Sequence, residues 1–251
     1  MSNFVVNPYM FIPVDAYDSG IGSDGNYTTV SNLTNNSDVT APSGLVSAGL
    51  TKSWLSNGSS TIISLSAGQI FPLNSDFTFC CWLYPTTIKS QVIINSSADN
   101  LCTVYFQQAG ARMEYVVKDG TGNSVGTEAD YSWEADEWQM VAVTFDESAG
   151  QAIGYVYASD GSKTTVIDQT NTDVDTVATN DDWKMLGAST ETFAGRILSP
   201  CIWNVVLSSS DLASLANSGN GAEMNTIQKD KIVCYWDSQT GTAPITNLAI
   251  P

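Results

Sequence analysis

In several short stretches between residues 76 and 157 apolar side chains recur at every second position, and this constrains the fold more than any other feature of the chain. A period of two puts successive side chains on opposite faces of a strand, whereas a helix would need a period of 3.6. In "DFTFCCWLYP" (76–85), Phe77, Phe79, Cys81 and Leu83 share one face and Thr78, Cys80, Trp82 and Tyr84 the other. Pro85 ends the run, because proline has no N–H to give to a ladder. In "RMEYVVKDGTGN", Met113, Tyr115 and Val117 oppose Arg112, Glu114, Val116 and Lys118, and "KDGTGN" is a hairpin signal. "QAIGYVYASDGSK" groups Ile153, Tyr155 and Tyr157 ahead of an Asp160-Gly161 turn. "STIISLS" (60–66), "QVIINSS", "CTVYFQQAG", "EWQMVAVTFD", "TTVIDQT", "DWKMLGAS", "FAGRILSPCIWNVVL" and "IVCYWDS" read as further strands. One segment, "SSSDLASLANSG", reads as a helix of about two turns, with serine caps, Asp211 in the first turn, Leu212 and Leu215 at i and i+3, and Gly219 near the end.

Many short strands and one helix make a sandwich. A length of 251 residues suits a single all-β unit, and 43% hydrophobic residues supply its core. Residues 1–45 differ: the apolar "VVNPYMFIPV" precedes a stretch crowded with turn formers. The expected division is an N-terminal arm and loop region over 1–45 and a sandwich domain over 46–251. The arm residues Val5, Pro8, Tyr9 and Phe11 are the candidate docking contacts to a neighbour.

Composition then removes whole classes of function. The chain has no histidine, which excludes Ser-His-Asp and Cys-His nucleophilic machinery and His-ligated metals. Nine basic against 26 acidic residues give a net charge of −17, a field that repels nucleic acid and anionic membranes. The five cysteines form no CxxC, and most sit in apolar runs, so they read as buried thiols. No window reaches the ~18 apolar residues of a membrane span. The opening "MSNFVVNPYMFIPVDAYD" lacks the basic start and apolar run of a secretory signal. Charged residues are only 14%, with Ser, Thr, Asn, Gly and Gln in their place, as in many extended viral and adhesive β proteins.

Taken in order, "DFTFCCWLYP", "EWQMVAVTFD", "YVYASDG", "WKMLGAST", "FAGRILSPCIW" and "LSSSDLASLANSG" resemble the laminin-G-like, concanavalin A-like jelly-roll modules. The resemblance covers roughly residues 50 to 220 and rests on the ordered set rather than on any one piece. Gln139-Met140 and Ala158-Ser159 depart from the family pattern. The resemblance implies an all-β, concanavalin A-like jelly-roll β-sandwich of two antiparallel sheets with one short helix. The "NPYMF" opening also resembles the start of bacteriophage tail and capsid-associated proteins that carry such modules.

"WEADEW" (133–138) raises the question of catalysis, because closely spaced carboxylates beside aromatics are what a retaining glycosidase presents to a sugar. Such enzymes hold two carboxyl groups about 5–5.5 Å apart. One enzyme family of this superfamily sets them two apart on one strand. Here Glu134 and Asp136 share parity, but the next same-face residue is Trp138, and Glu137 points the other way. The expectation is a solvated acidic turn and no enzyme.

Trp82 and Tyr84 are the candidate carbohydrate-binding aromatics. Asp173, Asp175 and Asp181, in the acidic "NTDVDTVATNDD", are the candidate ligands for a calcium ion, as the resemblance implies for the sandwich rim. The function expected is a non-enzymatic virion surface protein, a capsid decoration or tail-associated component made without a signal peptide. Its partners would be a capsid or tail protein, further copies of itself in a homo-oligomer, and host glycans. The alternative is a carbohydrate-binding lectin module with no virion role.

Overall fold

The structure, a computed structural model, describes residues 27–30, 34–58, 63–65, 75–96, 102–107, 112–119, 122–174, 183–188 and 191–235. In chain order its strands are β1 (Tyr27–Val30), β2 (Thr34–Asn36), β3 (Ser53–Asn57), β4 (Ile63–Leu65), β5 (Phe77–Pro85), β6 (Gln91–Val92), β7 (Ile94–Ser96), β8 (Cys102–Gln107) and β9 (Arg112–Lys118). They continue with β10 (Ser124–Asp130), β11 (Gln139–Asp146), β12 (Gln151–Tyr157), β13 (Lys163–Thr170), β14 (Trp183–Met185), β15 (Gly187–Ala188), β16 (Glu191–Thr192), β17 (Ala194–Trp203) and β18 (Ile232–Tyr235).

The largest sheet runs β13-β12-β11-β5-β17-β3-β2, with β18 on the later part of β17. A six-stranded sheet, β10-β9-β8-β6-β16-β15, and a four-stranded one, β1-β4-β14-β7, supply the opposing layer. Pairing is antiparallel except for the short β6/β16 contact. Residues 34–45, expected in the arm region, lie on the sandwich: β2 pairs with β3, and Ser43–Ser47 forms a single-turn helix, α1.

Parity along β5 sorts its side chains as the alternation predicts. Phe77, Phe79, Cys81 and Leu83 enter the core between the two layers, where Met113, Tyr115, Val117, Val141, Val143 and Phe145 meet them. The Tyr115 hydroxyl spans the layers to donate to the Thr144 carbonyl at 3.0 Å.

The other face of the same sheet is also covered. Cys80 and Trp82 lie in a second core with Met140, Ala142, Tyr157, Leu198, Cys201 and Trp203. Its cover is Leu45 of α1, Leu212, Leu215 and Ala216 of a second helix α2 (Ser209–Ala216), and Met224, Ile232 and Tyr235 beyond. Helix α2 is the expected one. The Ser208 side chain accepts from the Asp211 N–H, and the Asp211 carboxylate accepts from the Ser208 N–H, a reciprocal cap. Thr78 anchors the approach to α2: its hydroxyl donates to the Val205 carbonyl at 2.8 Å and accepts from the Leu207 N–H at 2.9 Å.

A bulge in β17 reconciles its sequence with two cores. The register against β5 shifts between Leu198 and Cys201, and Ser199 sits there at φ 50°. The extra residue swaps parity, so Ile197 and Ile202, five apart, face the same core.

Candidate functional site

Tyr84 is the last side chain on the second-core face of β5 before Pro85, and it is only half-buried. Arg196 of β17 stands directly opposite it in the ladder. On its other side lies Trp138, which leads into β11, with ring centroids 5.4 Å apart and planes tilted by 57°. Arg196, Tyr84 and Trp138 thus form one row across the end of the sheet.

Residues 38–42 cross this row as a strap. The Arg196 guanidinium, 4% exposed, donates to the Asp38 carboxylate at 2.6 Å. The Trp138 indole N–H donates to the Thr40 carbonyl at 2.9 Å. The strap then enters α1, whose start is held by the Asn220 carbonyl through the Gly44 N–H at 2.8 Å.

The acidic turn forms the next wall. Its backbone is fixed from two sides: the Asp136 N–H donates to the Pro85 carbonyl at 2.7 Å, and the buried Gln139 amide donates to the Glu134 carbonyl at 2.9 Å. Asp136 occupies the left-handed region at φ 59°. Glu137 accepts from the Ser159 hydroxyl at 2.6 Å. The last wall is Gly219 against Ser159. Gly219 has φ 83°, and a Cβ there would lie 2.0 Å from the Ser159 carbonyl oxygen, so only glycine lets the two loops meet.

Thr40, Ala41, Pro42, Tyr84, Asp136, Glu137, Trp138, Ser159 and Gly219 together line an open cleft of about 290 Å³. That is the small end of the ~300–1,000 Å³ common for ligand pockets. Burial foremost, and then the Asp136 carboxylate, push the Tyr84 hydroxyl above the ordinary tyrosine range; the Arg196 guanidinium opposes this and Glu137 adds to it. An aromatic wall, a hydroxyl and two carboxylates at one opening can stack on the apolar face of a small polar ring and accept from its hydroxyls.

The two candidate aromatics separate. Tyr84 lines the cleft. Trp82 does not serve as a sugar platform: it is 0% exposed in the second core, because α1, α2 and the segment after them roof the face on which it stands. Trp138, not singled out beforehand, lines the cleft in its place. Its signal was present in the sequence as the Trp that opens the β11 run, three residues from Ala135 in an acidic turn. Glu134, Asp136 and Glu137 are exposed in a turn ahead of β11, as the parity argument placed them. Asp136 and Glu137 nevertheless line the cleft, which reading them as a solvated turn passed over.

Asp173 is exposed; its N–H donates to the Asn171 side chain and its carbonyl accepts from Asn123. Asp175 and Asp181 lie outside the described residues, as do Val5, Pro8, Tyr9 and Phe11. Among the described residues no group of three or more His, Cys, Asp or Glu side chains gathers as a metal site would require. Cys80 and Cys81 are buried on opposite faces of β5, and burial drives both thiols far above their usual range.

An antiparallel jelly-roll of two facing layers, with a helix roofing its larger sheet, has a lectin-type fold. The chain belongs to the concanavalin A-like lectin/glucanases superfamily, whose family model matches residues 57–213. No curated protein matches the sequence. Among solved structures the fold is similar to full-length tailspike protein 2 of an Escherichia coli O157:H7 bacteriophage, at TM-score 0.60 and 10% identity over 93% of this chain and 32% of that one. The enzymatically active domain of bacteriophage CBA120 tailspike protein 2 gives TM-score 0.57 and 11% identity over 86% of this chain and 34% of that one. The binding domain of botulinum neurotoxin DC in complex with SialylT gives TM-score 0.52 and 12% identity over 75% of this chain and 45% of that one. The chain therefore spans less than half the length of each of these proteins, and at such identities the likeness is one of fold.

Proposed function

We propose that the chain is a non-enzymatic glycan-binding module carried on a virus particle, and that the cleft between Tyr84, Trp138, Asp136, Glu137 and Ser159 is where the glycan sits. The observation that carries the glycan reading is the partly buried Tyr84 ring set against Trp138 beside two carboxylates, at an open cleft of about 290 Å³. Binding without catalysis follows from where the carboxylates stand. Glu134, Asp136 and Glu137 share one short exposed turn, and Glu137 is engaged by Ser159. The enzyme family of this superfamily sets its pair at alternate positions along a strand, on one face of the sheet, not in a turn ahead of it.

Glycan-array binding of the purified chain, in calcium and again in EDTA, tests the reading. Selective binding that Tyr84→Ala abolishes supports it. No binding, or binding unchanged by Tyr84→Ala, sinks the cleft as the site. Loss in EDTA alone would bring the acidic 171–182 loop and its candidate aspartates into the site. Release of reducing ends from a bound polysaccharide, lost in Glu137→Gln, would overturn the non-enzymatic part.

The virion setting is the finer part of the proposal. It draws on the "NPYMF" opening and on a fold shared with a tailspike. A capsid or tail protein and further copies of the chain are its partners. Deleting residues 1–14 should abolish incorporation into particles while leaving glycan binding intact; incorporation that survives the deletion refutes docking through the arm.

A further inference from the structure

The cleft has one charge sign. Its two ionisable carboxylates, Asp136 and Glu137, are exposed to the opening, and no lysine or arginine lines it. The one guanidinium nearby, Arg196, is 4% exposed and turned to Asp38, so it offers an incoming anion little. Glu137 already has Ser159 as donor. Among the described residues no hydrogen bond or ion pair reaches the Asp136 carboxylate, whose turn is nonetheless pinned through its N–H to Pro85. Beside these carboxylates stand the partly buried Tyr84 ring and the buried Trp138 ring packed against it, both lining the cleft. Aromatic faces and fixed carboxylates both attract a cation, and both disfavour a carboxylate or sulfate group. The field of a chain of net charge −17 acts in the same sense at longer range.

Resting on the glycan reading above, we propose that the cleft selects an amino sugar with a free, protonated amine, seated with its ring on Tyr84 and its ammonium between Asp136 and Glu137. Acidic sugars are excluded by the same groups. N-acetylation of the sugar removes the charge while keeping the ring, so it separates charge recognition from ring recognition.

Isothermal titration of the full chain with glucosamine disaccharide and with its N-acetylated counterpart, in mildly acidic low-salt buffer, is the test. The free amine should bind about tenfold more tightly, the sum of a screened ion pair and a cation–π contact. The preference should shrink as salt is raised. It should vanish in the double variant Asp136→Asn with Glu137→Gln. A control pair remote from the cleft, Asp168→Asn with Glu223→Gln, removes the same net charge and should keep the preference; a loss there too would mean diffuse attraction to an acidic protein and would overturn the proposal. Equal or tighter binding of the N-acetylated sugar, still abolished by Tyr84→Ala, would overturn the amine preference and leave the glycan reading standing. Failure of both sugars, together with a blank array, would overturn both.

Discussion

Asp38→Ala should destabilise the protein by more than Arg196→Met, although both break the same ion pair. The Arg196 side chain is 4% exposed and the Asp38 side chain 61%. Arg196 donates to Asp38 at 2.6 Å and approaches the Ser53 hydroxyl at 3.5 Å. Removing Asp38 takes this carboxylate away from a guanidinium that stays inside the protein. Breaking a fully buried pair in that way costs about 3–5 kcal/mol, whereas an exposed pair is worth about 0–1 kcal/mol. Because Asp38 stands mostly in water, and solvent can enter where its carboxylate was, we expect about 2 kcal/mol for Asp38→Ala. Arg196→Met removes the charge together with its desolvation and keeps most of the side-chain volume, so it should cost about 1 kcal/mol or less. Urea unfolding followed by tryptophan fluorescence reads both, and the double variant closes the cycle. Both changes also release the strap at 38–42 from the end of the sheet, so both should weaken glycan binding. The reasoning fails if Asp38→Ala unfolds at the wild-type midpoint, or if Arg196→Met proves the costlier of the two.

Tyr84→Ala should lower glycan affinity by about tenfold or more, the cost of truncating an aromatic anchor, and should also cost about 1–2 kcal/mol of stability, because the ring is partly buried against Trp138 and the second core; titration and urea unfolding on the same sample check both. Gly219→Ala should cost about 2 kcal/mol or more, since its Cβ would lie 2.0 Å from the Ser159 carbonyl oxygen at a φ of 83°; a thermal midpoint within a degree of wild type would contradict the loop packing. Alkaline stability should fall in a defined window. Burial foremost, then Glu134 and Asp160, push the Tyr131 hydroxyl from its ordinary value of 10.0 up to about 12. Burial, then Cys80 and Tyr155, do the same for Tyr157. Between those values the folded chain holds protons that the unfolded chain has lost. The contribution is therefore complete below pH ~10 and lost as pH rises toward ~12, so the urea midpoint should drop across that range and drop less in Tyr131→Phe and Tyr157→Phe. At neutral pH Tyr157→Phe should leave stability equal or higher, because that hydroxyl is buried without a partner among the described residues.

How far the sequence reached depends on which interactions are local. Alternation fixes which side chains of β5 share a face, and the Ser208/Asp211 cap lies within four residues, so the central strand and α2 could be read directly. Alternation cannot say what covers a face. Trp82 shares its strand face with polar Thr78, a pattern that in the sequence reads as a face open to ligand. The roof over it comes from α1, α2 and residues 224–235, far along the chain in both directions, and Thr78 is buried beneath it with both hydrogen bonds satisfied by the loop before α2. The bulge at Ser199 was equally hidden. "ILSPCIW" carries no glycine to mark a left-handed residue, and the parity swap shows only once Ile197 and Ile202 are seen in one core.

The position of the cleft follows from where that roof stops. Leu198, Trp82, Met140 and Tyr157 form one row across four strands, and every member is buried. The next row, Arg196, Tyr84 and Trp138, lies at the edge of the cover, with only the strap at 38–42 and the loops at 136–137, 159 and 219 around it. A half-exposed aromatic there inherits the rigidity of a sheet packed on both faces, so its ring is held in place before any ligand arrives, which lowers the entropy lost on binding. The same edge explains the acidic turn. Glu134, Asp136 and Glu137 are solvated because they stand outside the second core, and standing just outside it is what brings Asp136 and Glu137 to the rim of the cleft, beside Tyr84.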